Sequence, residues 1–437
     1  MVKLTQLLLF SGMIGLTLSS CSVQKQIAKE AKKDILVNTD FTAAHVGISL
    51  FDPASGQYLY NYQGDKYFVP ASNTKLLTCY VAMKNLGDSL VGIRYVDKGN
   101  GTIEMEGNGD ASFLMADFHN QPVYDFLKQQ KRILLTDANW KENALGAGWG
   151  WDDYNSDYMA ERSAMPIYGN LAKFSMVNSR LTATPRYFLE EVKNQTGPPK
   201  DQFRIRRDIS TNTFTTTTAA SKFNKAEIPF YTTGNKALIS LLKDTLKTNV
   251  EQAHFTIERW PDVVKVYSQP TDSLLKIMMH RSDNFFAEQT LLMISNEKLA
   301  YMNDARIIDT LLKTDLKNLP QKPKWVDGSG LSRYNLVTPQ DFIWILTQMK
   351  KEFRWERIKT ILPTGGEGTL SGLYQHYKEQ IYAKTGSLSN HIALSGYITT
   401  KKGKQLIFSI LVNAHMSTAS NIRKAIEKFL SAVMDKY

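Results

Sequence analysis

The residue types and spacings in three short segments are those of acyl transfer. Ser72-Asn73-Thr74-Lys75 sets a hydroxyl and an amine one helical turn apart. A serine hydroxyl is a weak nucleophile until a base takes its proton, and an amine can be that base when burial or positive neighbours lower its pKa. The apolar residues Leu76, Tyr80 and Met83 recur at helical spacing before Gly87, which predicts an amphipathic helix with Ser72 and Lys75 on one face. The plain alternative is a capping serine and a solvated lysine. Ser282-Asp283-Asn284 falls between the apolar runs Leu274 to Met279 and the one beginning at Phe285, in an expected interhelical loop. Lys384-Thr385-Gly386-Ser387 ends the strand-like run Ile381 to Ala383. Each triplet alone reads as a turn or a cap.

Positioning them requires a sheet and a helical lobe. His45 to Phe51 and Gln57 to Tyr62 alternate apolar and polar around Asp52-Pro53-Ala54-Ser55-Gly56, a hairpin turn by composition. Ile392 to Ile398 and Leu406 to Val412 do the same around Lys401-Lys402-Gly403-Lys404, and Ile422, Ala425, Ile426, Phe429 and Val433 mark a closing helix. The two chain ends are therefore expected to share one antiparallel sheet with helices on its faces. From about Leu90 to Pro261 short strands and turns take over, with a helix near Asn235 to Leu246. The expected fold class is α+β: a discontinuous catalytic domain, 41–89 and 262–437, with a strand-rich domain, 90–261, spliced into it.

In this order, on helix start, loop and strand, the three triplets are a set shared by β-lactamases and penicillin-binding proteins. The chain resembles the class C low-molecular-mass penicillin-binding proteins, D-alanyl-D-alanine carboxypeptidases and endopeptidases with a large insertion after the nucleophile helix. Four further segments match in order: Gly107-Asn108-Gly109-Asp110; Gly148-Trp149-Gly150-Trp151-Asp152-Asp153; Asp327 to Arg333; and Leu362-Pro363 with Gly368-Thr369-Leu370. The inserted region looks lean for the family, so a third, nested subdomain is expected to be reduced.

The resemblance implies a division of labour. Ser72 attacks the carbonyl between the terminal D-alanines of a peptidoglycan stem peptide, or a β-lactam, and Lys75 takes its proton; Ser282 helps protonate the departing amine. Backbone N–H groups of Ser72 and Ser387 form the oxyanion hole. Asn284 holds the substrate amide, Lys384 helps keep Lys75 neutral, and Thr385, Gly386 and Ser387 line the site of the terminal carboxylate. Asp152, Asp153 and Arg333 sit at the cleft rim and read the diamino acid, with Trp149 and Trp151 along its aliphatic stem. A class A β-lactamase is a poorer match, because no glutamate stands in a Glu-x-x-Leu-Asn setting and Glu288 reads as structural. A catalytically silent wall-binding or β-lactam-sensing lipoprotein is opposed by three intact triplets. No cofactor is expected, and the seven histidines lack metal-ligand spacing.

The 53 basic and 42 acidic residues give a formal charge of +11, but they are dispersed, which disfavours nucleic acid and suits an anionic membrane or wall polymer. Residues 1–20 have the basic start and short apolar run of a signal peptide. Leu18-Ser19-Ser20-Cys21 resembles a bacterial lipobox, which implies lipidation at Cys21 and an envelope location on a membrane anchor. Residues 21–40, rich in lysine and glutamine, read as a tether. Cys79, the other cysteine, shares the helix of Lys75 and reads as a buried free thiol.

Overall fold

The computed structural model describes residues 23–178, 180–194, 203–217, 225–257 and 262–437. The signal segment and Cys21 lie outside these. Strands from both chain ends form one five-stranded sheet in the order Ile381–Leu388, His391–Thr399, Gln405–Asn413, His45–Asp52, Gln57–Tyr62. His45–Asp52 pairs antiparallel with Gln405–Asn413, in the register His45 with Asn413 and Ile48 with Ile410.

Gln405–Asn413 is apolar almost throughout because both its faces are covered. Phe408, Ile410 and Val412 join the core under the last helix, Ala419–Lys436, while Ile407 and Leu411 join the core of the helical lobe. That lobe contains Lys75–Asn85, Thr271–Arg281, Asn284–Leu299 and Pro339–Glu352. Lys75–Asn85 is buried from Lys75 through Met83, so it runs through the lobe's interior; the amphipathic pattern expected of it does not hold. Cys79 is a fully buried free thiol on this helix, and burial pushes it up to about 12.

The tether reading is corrected. Residues 23–31 are helical and continue through one wider turn, Lys32–Leu36. Ile27, Ala31 and Ile35 are fully buried in the core under the last helix, with Val23 packed beside them. Four residues apart, these side chains form one stripe, and Lys25, Gln26, Lys29, Lys32 and Lys33 around them face water.

The inserted region is built on a second five-stranded sheet, ordered Asn249–Gln252, Arg132–Thr136, Thr102–Gly107, Ser89–Asp97, Val264–Pro270. Val264–Pro270 pairs with Ser89–Asp97, so this sheet takes in residues that the sequence reading assigned to the catalytic domain. Two three-stranded sheets pack on the same core, where Phe174, Phe188 and Phe214 meet Ile93 and Met105, instead of building one of their own. Asn108 bolts the two regions together, accepting hydrogen bonds from Arg94 of the insertion and Asn296 of the lobe, each at 2.6 Å. No described helix is long and apolar enough to cross a membrane.

Candidate active site

Ser72 lies on a tight turn, Ala71–Thr74, that leads directly into the buried helix. Two glycines clamp this turn. A methyl at Gly386 would come within 2.7 Å of the Pro70 carbonyl, and one at Gly330, where φ is +83°, within 1.9 Å of the Ala71 carbonyl. Both positions require the absence of a side chain because backbone presses on backbone. Ala71 itself has φ +48°, a sparsely populated conformation that these contacts and the hydrogen bond from Thr74 Oγ1 to the Ala71 carbonyl hold in place. Behind the turn, Asn73 Nδ2 donates to Ser395 Oγ at 2.7 Å, and Ser395 bonds Ser409, fixing the turn to the sheet.

Lys75 Nζ reaches Ser72 Oγ at 3.0 Å, Asn284 Oδ1 at 2.7 Å and the Ser329 carbonyl at 2.8 Å. Burial brings its pKa down to about 8, against the opposite pull of Asp327, Glu288 and Asp283. Ser282 takes a left-handed conformation, φ +60°, at the end of Thr271–Arg281, and Asp283 caps the next helix through Phe286 N. This corner aims Ser282 Oγ at Lys384 Nζ, 2.9 Å away, and Lys384 also donates to the Thr385 carbonyl at 2.8 Å. Burial, reinforced by Lys75, holds the Lys384 ammonium well below the usual lysine range. Ser72, Lys75, Ser282, Asn284 and Lys384 thus converge on the exposed edge of the sheet. Thr385 is half-buried and Ser387 exposed on that same strand.

The expected rim residues also gather here. Gly148 sits against Ser332 and Tyr334, which bracket Arg333, and Arg333 Nη1 donates to the Ser389 carbonyl at 3.3 Å. Asp152 is exposed and Asp153 half-buried on the turn Trp151–Asp153. Asp153 neighbours Tyr158, whose phenol is raised by burial and by that carboxylate, and the Tyr158 carbonyl accepts from Asn284 Nδ2 at 3.0 Å. Trp151 is 75% exposed. Trp149 is tied into the scaffold at this rim: its Nε1 donates to Asp327 Oδ2 at 3.0 Å and its ring stacks on Arg162.

Three features escaped the sequence reading. Glu288 Oε1 accepts the Ser329 N–H at 2.8 Å, bracing the carbonyl that holds Lys75. Burial raises Glu288 to about 7, with Asp327 adding to the effect. Arg162, from the insertion, is buried against Glu288, Asp304 and Glu142. Arg423 Nη2, from the last helix, donates to Ser387 Oγ at 2.7 Å and brings a positive charge to the Ser387 end of the strand. None of these has a local signature, because each partner lies far away in sequence.

The chain is 31% identical over 166 residues to the D-alanyl-D-alanine carboxypeptidase DacB of Haemophilus influenzae, a stretch covering 35% of this chain and 34% of that protein. It is 25% identical over 439 residues to a D-alanyl-D-alanine carboxypeptidase of Actinomadura sp. strain R39, covering 88% and 80%. Its fold is similar to the crystal structure of penicillin-binding protein 4 from Haemophilus influenzae, with TM-score 0.73 and 19% identity over 94% of this chain and 99% of that one. A predatory endopeptidase of Bdellovibrio bacteriovorus aligns with TM-score 0.53 and 17% identity over 90% and 94%. The D-Ala-D-Ala carboxypeptidase 3 (S13) family model matches residues 28–433, and the chain belongs to that family of serine D-alanyl-D-alanine peptidases.

Proposed function

We propose that this peptidase cleaves the D-alanyl end of peptidoglycan stem peptides through an acyl-enzyme at Ser72, and that β-lactams acylate the same oxygen. One observation carries the reading: a buried lysine with a pKa of about 8 lies 3.0 Å from the Ser72 hydroxyl. At neutral pH such an amine is unprotonated roughly 300-fold more often than an ordinary lysine. Lys75 takes the Ser72 proton as Oγ bonds the carbonyl carbon. The peptide bond then breaks, and the proton held by Lys75 is passed through Ser282, backed by Lys384, to the departing D-alanine amine, leaving Ser282 protonated and Lys75 neutral for the next step. Water hydrolyses the ester and restores Ser72. Backbone N–H groups of Ser72 and Ser387 serve the oxyanion, and Thr385 and Ser387, with Arg423 behind, serve the terminal carboxylate. Trimming, cross-link cleavage and transpeptidation share this acyl-enzyme. Digestion of purified peptidoglycan followed by product analysis tests the reading: free D-alanine or split cross-links are expected, and their absence refutes it.

At the rim, Asp153 and Arg333 are assigned to the stem peptide's diamino acid, an ammonium for the first and a carboxylate for the second. Asp153→Asn is expected to lower kcat/KM on peptides with a free ω-amino group by about 5- to 150-fold while barely changing penicillin acylation. Asp152→Asn is expected to do less, since that carboxylate points to solvent. Equal losses on amino-blocked and free peptides for both variants would assign the segment to scaffold.

The envelope location suits a cell-wall peptidase, and Cys21 is proposed as a lipidated residue that holds the protein on a membrane. Cys21→Ser is expected to abolish lipid labelling and to let a salt wash release the protein into the soluble envelope fraction, because no acyl chains remain to anchor it. Retention on salt-washed membranes contradicts the lipobox.

A further inference from the structure

We propose that the end of the catalytic sheet carrying the turns 52–57 and 400–404 is a docking face for an anionic lipid bilayer, holding the cleft turned away from the membrane. The orientation rests on the proposed anchor at Cys21; the lipid-binding face itself does not.

The described chain begins at this end. Gln24 Nε2 donates to the Tyr58 carbonyl at 3.3 Å, and Tyr58 adjoins Gln57, which pairs with Asp52 at the hairpin turn. Cys21 precedes Val23 by two residues, so its sulfur is tethered within about 10 Å of the fold, two residues of extended chain plus a side chain. An anchor on so short a leash leaves little choice of which end meets the bilayer.

That end is basic. Lys350 and Lys351, from the end of Pro339–Glu352, and Lys404, from the turn, line an open cleft of about 830 Å³ with Asp52 to Ser55. Lys401 and Lys402 stand on the same turn, and Lys351, Lys401, Lys402 and Lys404 are exposed. The acids here are largely committed: Asp52 pairs with Lys404 at 3.6 Å and Asp435 with Lys401 at 2.9 Å. Lys350, Lys351 and Lys402 form no ion pair among the described residues. The exposed Glu379 lies at the far edge of this end, beside the start of Ile381–Leu388.

The positive charges in the cleft and on the turn are all lysines. A rigid site for one phosphate or carboxylate favours the planar fork of arginine, whereas ammonium groups on flexible stems suit a fluid array of headgroups. Ser387 pairs with Ile392 and Ile392 with Val412, seven residues or roughly 23 Å along the strand from Gln405 at the lysine end. A molecule standing on that end therefore carries the Ser387 end of the catalytic strand, with the turn of Ser72 that Gly386 clamps, away from the bilayer.

The test uses the full chain with Cys21→Ser, which cannot be lipidated, so its result is independent of the anchor. Flotation is expected with vesicles containing phosphatidylglycerol, not with pure phosphatidylcholine, and to fall as salt is raised. The triple variant Lys351→Gln, Lys402→Gln, Lys404→Gln is expected to bind about 100-fold more weakly, near fivefold per lysine. Its turnover of a soluble D-Ala-D-Ala peptide is expected to match that of the parent. Equal flotation on both vesicle types, no flotation at all, or a triple variant that binds like the parent overturns the proposal, as does binding to purified anionic wall polymer without binding to vesicles. A chain that binds anionic vesicles but takes no lipid at Cys21 keeps the face and loses only the orientation.

Discussion

A Ser72→Ala protein is expected to take no covalent label from a fluorescent penicillin and to lose activity on the order of 10⁶-fold, as when the nucleophile of another serine peptidase is removed. The fold is expected to survive. Lys75 keeps its bonds to Asn284 and the Ser329 carbonyl, and the turn keeps its clamps at Gly330 and Gly386. Lys75→Arg makes the complementary test, since a guanidinium keeps the charge but cannot accept a proton. For the parent enzyme the direction of pH dependence follows from the lysine. Protonated Lys75 cannot act as a base, so acylation is expected to rise with pH and level off above about 8. A flat profile from acid to mildly alkaline pH, or mass spectrometry placing the drug on another residue, rules out this assignment.

Arg162→Met is expected to destabilise the protein by about 3 to 5 kcal/mol, the usual cost of stripping a buried charge cluster of one partner. Arg162 is 1% exposed and pairs with Asp304 at 2.7 Å, Glu288 at 3.3 Å and Glu142 at 3.6 Å. Without it three carboxylates share a dry pocket. Their protonation would relieve part of the cost, so the loss is expected to shrink on acidification, as a pH series of thermal melts would record. Glu288→Gln is the gentler probe of what the cluster does for Lys75. The amide oxygen can still accept the Ser329 N–H, but the negative charge that helps hold Lys75 protonated is gone. The Lys75 pKa should fall, and the pH profile of acylation should move toward lower pH. An unmoved profile would reduce Glu288 to scaffold, and an Arg162→Met protein that melts like the parent would show that the cluster contributes no net stability.

The chemistry was legible because it is written in contiguous triplets, and the sheet because two strand-like runs at each chain end flank turns rich in proline, glycine and lysine; the alternation expected of Leu406 to Val412 does not hold, since both its faces are buried. What escaped the reading depends on distant partners. The stripe Val23, Ile27, Ala31 and Ile35 is sparse among lysines and glutamines, and the core it completes includes Phe429 and Val433, nearly the whole chain away. The spacing of Leu76, Tyr80 and Met83 reads as one apolar face, yet Lys75 and Thr78 are buried too, because a lysine beside a nucleophile has polar partners inside the lobe. Trp149 was placed along the substrate by the family resemblance alone. Its indole N–H goes to Asp327, a contact no local pattern announces. The inserted domain was foreseen only as a reader of substrate; Arg162, Trp149 and the Tyr158 carbonyl make it in addition part of the floor beneath Lys75 and Asn284.

The pairing of His45–Asp52 with Gln405–Asn413 also governs when the enzyme can first exist. A chain is synthesised from its amino end, and contacts of such long sequence separation close late. The insertion, whose apolar core runs from Ile93 to Val250, can complete itself while the first hairpin still waits for its neighbour. Until residues 381–413 arrive, Ser72 has no Gly386 to hold its turn, no Lys384 beside Ser282 and no central strand beneath it. Activity therefore switches on with the last tenth or so of the polypeptide to be made, and a nascent chain stalled short of that point is an inert folded insertion and not a feeble peptidase.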